Sequence, residues 1–224
     1  MDIKYSKKKE DLRNDPLIDG LKMGKQYLRE HGNRMMTGVV VIALCVAGYF
    51  VYSYMKKANM VKAQEDFGKA MILYNDRDIT KSIEAFNQVV ENHGSSPHAA
   101  YSAYMIGQIY LAGDNFDDAI KYFEKSLSSK KSMEFIPGQS LEALGICYEA
   151  KGDNEKALDY FEKALKDGAI PHRYPAIRWK MALLNKKLGN NEKVLYYCKE
   201  LAFDTLAVDY KKKAENLVAV LKTN

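Results

Sequence analysis

The chain has 224 residues, with 34 Lys+Arg against 29 Asp+Glu for a formal charge of +5. That length allows one folded domain with appendages or two small domains, and 47% apolar content supplies a core and excludes wholesale disorder. So small a basic excess does not suggest nucleic acid, and three cysteines without CxxC spacing support neither a disulfide framework nor a zinc site.

Residues 1–34 form a charged leader. Pro16 after Asp15 suits the first turn after an N-cap, and Leu17, Ile18, Leu21 and Leu28 follow at near-helical spacing. This predicts a short amphipathic helix ending at His31-Gly32, with Lys22, Lys25 and Arg29 available to lipid headgroups. A partly ordered tail is the alternative. Residues 35–55, Met35 to Met55, are 21 consecutive positions without a charge. As a helix they extend about 31 Å, which matches a hydrocarbon core of about 30 Å and predicts a transmembrane helix. Arg34 and Lys56-Lys57 bound the run, and Tyr49, Phe50, Tyr52 and Tyr54 supply interfacial aromatics. A signal peptide fits poorly, because a long leader precedes the run and no small-residue cleavage pattern follows it. Lys and Arg tie at four each in the two flanks, but the whole leader holds nine. The positive-inside rule then places the leader in the cytoplasm and the rest of the chain outside.

From residue 56 the pattern is helical and repeats. Gly107, Tyr110, Ala119 and Phe123 recur at an offset of 38 as Gly145, Tyr148, Ala157 and Phe161. The same register, carried back by 37 and forward by 37, meets Ala70, Leu73, Ser82 and Phe86, then Ala182, Asn185, Val194 and Cys198. Each unit reads as a first helix with a small residue and a break. The breaks fall at Asn75-Asp76, Gly113-Asp114, Gly152-Asp153 and Gly189-Asn190, and a second helix with a wedge follows each. Gly94 to Pro97, Pro137-Gly138, and Pro171 with Pro175 are expected to separate the units. Four units result, at about 63–99, 100–137, 138–174 and 175–203, within a repeat region of 56–203. No unit buries its apolar stripe alone, so stacking must supply the core. Residues 204–224 read as a capping helix with Leu206, Tyr210, Leu217 and Leu221 on one side and Lys211 to Lys213 opposite. No proline interrupts Lys56 to Tyr74, so the membrane helix is expected to run into the first repeat helix.

The run Leu144-Gly145-x-x-Tyr148, Gly152, Ala157, Phe161 and Ala164 resembles the tetratricopeptide repeat. The resemblance covers roughly residues 63–203. It departs at the usual tryptophan position, held here by Asp66, Ala103, Leu141 and Arg178. It implies an all-α fold: a transmembrane helix, a right-handed α-solenoid of four hairpins, and the capping helix. It also implies a concave protein-binding groove on the first helices, for which we select Phe67, Tyr74, Tyr101, Tyr104, Gln108, Glu142, Glu149, Trp179 and Lys186. Folding of the C-terminal helix into that groove, over Trp179 and Leu183, is the alternative. The basic set that clamps chaperone carboxylates in some relatives is missing, since Phe67 and Met71 stand in its place.

The leader, the stretch Tyr27 to Asn33, one span and an immediately following repeat domain are together similar to the YfgM-type ancillary subunit of the bacterial Sec translocon. That likeness implies a bacterial inner-membrane protein with a cytoplasmic N-terminus and periplasmic repeats. Its implied partners are translocon subunits, chaperones or exported clients, beside the bilayer around residues 35–55. A cytosol-facing receptor or assembly adaptor with the same solenoid is the alternative.

No P-loop, GxGxxG, GxSxG or HExxH occurs, so we expect no catalytic residues, cofactor or small-molecule substrate. His93 and His98 make a weak metal pair, and Asp114, Asp117 and Asp118 read as a solvated helix start rather than a calcium loop. Cys147 and Cys198 lie a repeat apart and are expected to be free buried thiols.

Overall fold

In a computed structural model, residues 16–129, 131–167 and 171–223 are described. Asp15 and Lys7 to Lys9 lie outside them. The chain divides into two compact units, residues 1–57 and 58–224, and the regular structure of the described residues is entirely helical.

Helix α1, Pro16–Asn75, is 60 residues long and carries the described part of the first unit. By length and composition it is a candidate membrane span. Its apolar side chains are open: Leu44 and Phe50 are 67% and 66% exposed. Bare apolar surface over this length needs a bilayer or a partner to cover it. The expected helix end at His31-Gly32 is absent. A single interior glycine costs about 1 kcal/mol against alanine, and no proline follows to finish the break. The run from Lys56 to Tyr74 is helical throughout, as its lack of proline implied.

In the second unit, residues 58–75 of α1 pair with α2 (Ile79–Asn92), α3 (Pro97–Ala112) with α4 (Phe116–Leu127), α5 (Phe135–Ala150) with α6 (Asn154–Asp167), and α7 (Tyr174–Lys187) with α8 (Asn191–Phe203). Helix α9 (Val208–Thr223) packs on α8 and α7, where the first helix of a fifth unit would lie.

Each hairpin turns by the same device. Arg77, Asp114, Gly152 and Gly189 have φ of 63°, 57°, 82° and 75°, and they follow one another at offsets of 37, 38 and 37. The left-handed residue of the second turn is therefore Asp114, while Gly113 has an ordinary φ of −96°. An Asp or Asn follows each of these residues. Asp78, Asn115 and Asp153 accept a backbone N–H at the start of the second helix, from Lys81, Asp118 and Lys156. Asn190 instead donates from its amide to Asn185 Oδ1 at 3.4 Å.

Three of the expected inter-unit prolines sit inside helices, Pro97 as the first residue of α3. Pro137 falls in the first turn of α5 and Pro175 in the first turn of α7, where the missing N–H has no helical partner to lose. A short 3-10 turn, Pro171–Arg173, precedes α7.

The core follows the repeat. Ala70, Ala119, Ala157, Ala182 and Val194 are fully buried, and so are the wedges Phe86, Phe123 and Phe161. The two glycines of the pattern have a steric reason. A Cβ on Gly107 would lie 2.7 Å from the Phe123 ring, and one on Gly145 would lie 2.6 Å from Phe161. Cys198 takes the fourth wedge position, 2% exposed, in one cluster with Met181, Val194 and Leu201. Cys147 is fully buried and both thiols are free. Burial raises the pKa of Cys147 to about 11, so it remains a protonated apolar group.

The candidate protein-binding groove

On each first helix the selected residues are spaced three, four or seven apart, which puts them on one side of that helix. Phe67 of α1 meets Tyr101 of α3 with ring centroids 4.8 Å apart, and Tyr101 lies 6.2 Å from Tyr104. Tyr74 and Met71 pack on the same cluster, around Ala70, Phe86 and Ile106. Phe67, Tyr74, Tyr101, Tyr104 and Gln108 are half-buried. Burial raises the Tyr104 pKa, which the Arg173 charge partly offsets, and keeps its phenol neutral. Two unselected rings complete the strip: His98, 5.6 Å from Phe67, and Phe135, edge-on to Tyr101 at 5.8 Å.

The third and fourth units differ. Glu142 is 5% exposed, and both its oxygens are held by Arg173, Nε at 2.6 Å and a terminal nitrogen at 2.8 Å. Its charge is satisfied within the protein, so the expected open carboxylate is not presented. Glu149 is half-buried and accepts from Lys180 at 2.8 Å. Both pairs span 31 residues of the chain, the first tying α5 to the turn before α7 and the second tying α5 to α7 itself. Arg173 and Lys180 sit seven apart, as do Glu142 and Glu149. That doubled spacing was the sequence signal for Arg173, which motif reading missed.

Trp179 lies 6.3 Å from Tyr210 of α9. Both Trp179 and Leu183 are half-buried rather than covered, and Lys186 at the end of α7 is exposed. The first-helix face therefore runs from a neutral aromatic half at α1 and α3 to a half with internally paired charges at α5 and α7.

The other singled-out polar residues serve the scaffold. His93, on the turn after α2, bonds Asn59 Oδ1 at 2.7 Å and Asp66 Oδ2 at 3.1 Å. Asp117 and Asp118 lie in the first turn of α4, and Asp117 pairs with Lys151. Among the described residues no group of three or more His, Cys, Asp or Glu could hold a metal ion.

A second ladder links the second helices. Tyr122 Oη donates to Asn87 at 3.0 Å, and burial, with the nearby Glu162 charge, lifts the Tyr197 pKa to about 12. Tyr160, the counterpart of Tyr122 in the next unit, has its pKa raised by burial, with smaller contributions from Tyr148 and the Glu124 charge. Tyr148 and Tyr160 stack at 5.3 Å, as Tyr110 and Tyr122 do at 5.6 Å.

Comparison with known proteins places this geometry. The family model for the tetratricopeptide repeat-like domain matches residues 25–137, half of the chain, and the tetratricopeptide repeat model matches residues 138–167. The Photosystem I assembly protein Ycf3 of Prochlorococcus marinus strain NATL1A is 30% identical over 114 residues, 51% of this chain and 63% of that protein. The chain thus spans less than two thirds of the length of the curated relatives it matches first. Among solved structures, MamA aligns with a TM-score of 0.53 at 17% identity, covering 74% of this chain and 87% of that one. PilF of Pseudomonas aeruginosa aligns with a TM-score of 0.50 at 14% identity, covering 67% and 66%. At such identities these structures speak to the fold alone, and they agree on the solenoid. The chain belongs to the tetratricopeptide repeat-like domain family and is built as a protein-interaction scaffold.

Proposed function

We propose that the chain is a membrane-anchored scaffold that holds partner proteins in the groove of its first helices. The observation that carries this reading is the strip of half-buried rings, Phe67, Tyr101 and Tyr104, running from α1 to α3. Rigid aromatic groups offer large contact area at small entropic cost, which suits them to anchor a partner. The family model begins at residue 25 and so includes the apolar segment 35–55, which supports span and repeats acting as one device. Anchoring then raises the local concentration of the groove near a membrane partner and strengthens weak contacts without adding new ones.

In the finer reading, residues 35–55 span a bacterial inner membrane with the leader in the cytoplasm and the repeats in the periplasm. There the chain acts as an accessory factor of protein translocation or chaperoning. The leader's excess of Lys and Arg and the likeness to translocon ancillary subunits support it. A second reading, a cytosol-facing assembly adaptor, draws on the assembly role in the name of the Ycf3 relatives and on the tied flanking charges.

Trypsin added to cells with an opened outer barrier separates the two. Cleavage at Lys211 to Lys213 is expected for periplasmic repeats, and protection until the membrane is dissolved selects the adaptor. For the groove, crosslinked partners recovered with the full chain are expected to fall in a Tyr104→Ala, Trp179→Ala double variant. Undiminished recovery would count against the groove.

A further inference from the structure

Helix α1 carries a seven-residue period that runs through both the leader and the apolar segment. Leu21, Leu28, Met35, Ile42 and Tyr49 recur at intervals of seven. Leu17, Gly24, His31, Gly38, Cys45 and Tyr52 form a second series, offset from the first by three or four, and the two make one seam from residue 17 to residue 52. The charges of the described leader, Asp19, Lys22, Lys25, Arg29, Glu30 and Arg34, all lie off it. Among the described residues nothing covers the seam. Leu17, Leu21 and Leu28 are 76%, 74% and 57% exposed, and they precede the apolar segment that a bilayer would cover.

The glycines follow the same line. Gly20, Gly24, Gly32, Gly38 and Gly48 lie on the seam or directly beside it, and a Cβ on any of them would meet nothing within 4 Å. Gly107 and Gly145 make room for a ring, whereas these five make room for nothing in their own chain, although glycine weakens a helix interior. A second helix backbone in close approach accounts for them.

We propose that the seam pairs with that of a second copy of the chain, as a parallel, left-handed two-helix coil running from the leader through the membrane. The proposal rests on the reading that residues 35–55 span a bilayer. A seven-residue seam drifts about 20° per heptad around a straight helix, so it stays against one partner only where that partner is a helix and the two supercoil. Lipid surrounds a helix evenly and calls for no such period. The partner helix must also cross the membrane and continue beyond it in the same register, and a second copy inserted the same way does both. In that pairing Gly20 faces Lys25 of the second copy, Tyr27 faces Gly32 and Arg34 faces Val39, so no like charges meet. Pairing at the anchor puts two grooves on one assembly and favours partners with two docking segments.

The test oxidises the full chain in membrane vesicles with copper(II)-phenanthroline. Cys45 is an exposed thiol on the seam, whereas Cys147 and Cys198 are buried. A disulfide-linked dimer is expected, and Cys45→Ser should abolish it. In the Cys45→Ser chain, Leu28→Cys and Ile42→Cys should restore the dimer. Leu44→Cys, on the far side of the helix and as exposed as Ile42, should not, since a disulfide needs Cβ atoms about 4 Å apart. Energy transfer between donor- and acceptor-labelled copies in liposomes reads association without a thiol. Affinity should fall about tenfold or more in Gly38→Leu, by overpacking, and hold in Ala47→Leu on the opposite side. The proposal is overturned if no seam cysteine cross-links, or if Leu44→Cys cross-links as readily as Ile42→Cys. It is also overturned if Cys45 joins a protein of different mass, or if Gly38→Leu associates as well as the parent chain. Release of the chain from membranes by alkaline carbonate would refute the anchor instead, and the Leu28→Cys cross-link then reads the seam without a bilayer.

Discussion

At Gly145 the space for a side chain is already taken by the Phe161 ring, whose edge would lie 2.6 Å from any Cβ. Phe161 is fully buried and cannot swing into solvent. Gly145→Ala is therefore expected to cost about 1–3 kcal/mol by overpacking, despite the better helix propensity of alanine. Urea unfolding of the full chain measures it, and adding Phe161→Leu should return part of the loss, because the two changes meet in one contact. His98 offers a residue-level test by pH. Its ring packs on Phe67 and its Nδ1 is buried without a partner, and burial holds its pKa below the usual 6.5. Between that lowered value and about 6.5 the unfolded chain binds more protons, so stability rises with pH through this window and is lost as pH falls through it. His98→Phe keeps the ring contact and should flatten the drop in melting temperature between about pH 7 and pH 5. Equal slopes in the two proteins would exclude His98 as a source of that drop.

At the scale of the element, the four turns share one backbone conformation but not one residue type. Gly152 and Gly189 adopt positive φ freely, whereas Arg77 and Asp114 carry a Cβ into the left-handed region. Arg77→Gly is expected to stabilise the protein by about 0.5–1 kcal/mol, and Asp114→Gly by less, because aspartate tolerates this region better. Chemical denaturation of the pair of variants checks the order. The ties between elements also differ in weight. Removing Arg173 leaves the buried Glu142 carboxylate without its partner and should cost about 1–2 kcal/mol, allowing for a guanidinium side chain that is 44% exposed. Removing Lys81 from its exposed pair with Asp78 should leave the unfolding curve in place.

For the whole molecule the decisive property is quasi-one-dimensional stacking, in which each unit is stabilised by its neighbours. Helix α9 contributes Ala214 and Leu217 to the last core cluster, and Ala207 just before it adds a third group, beside Met181, Cys198 and Leu201. Ending the chain after Asp204 would bare that cluster at a cost of roughly 3 kcal/mol from lost apolar burial. The expected result is early melting of the last unit in hydrogen exchange, with protection of α3 and α4 little changed. Uniform loss of protection would instead mean that the solenoid unfolds as one cooperative body.

The local pattern determined a good deal by itself. An uncharged run long enough to cross a bilayer, a repeat with a period of 37 or 38, the small-residue and wedge positions and the turn pairs are all matters of residue type at fixed spacing. Each acts over one or two helical turns, so the chain displays it directly. Tertiary structure decided what depends on a neighbour from another unit. It let α1 run past Gly32, since one interior glycine is too weak a break to end a helix. It buried Glu142 against Arg173, because solvent access is set by what a distant part of the chain places over a position rather than by the position's register. Both outcomes depend on groups that lie beyond one or two helical turns, and no local spacing records them.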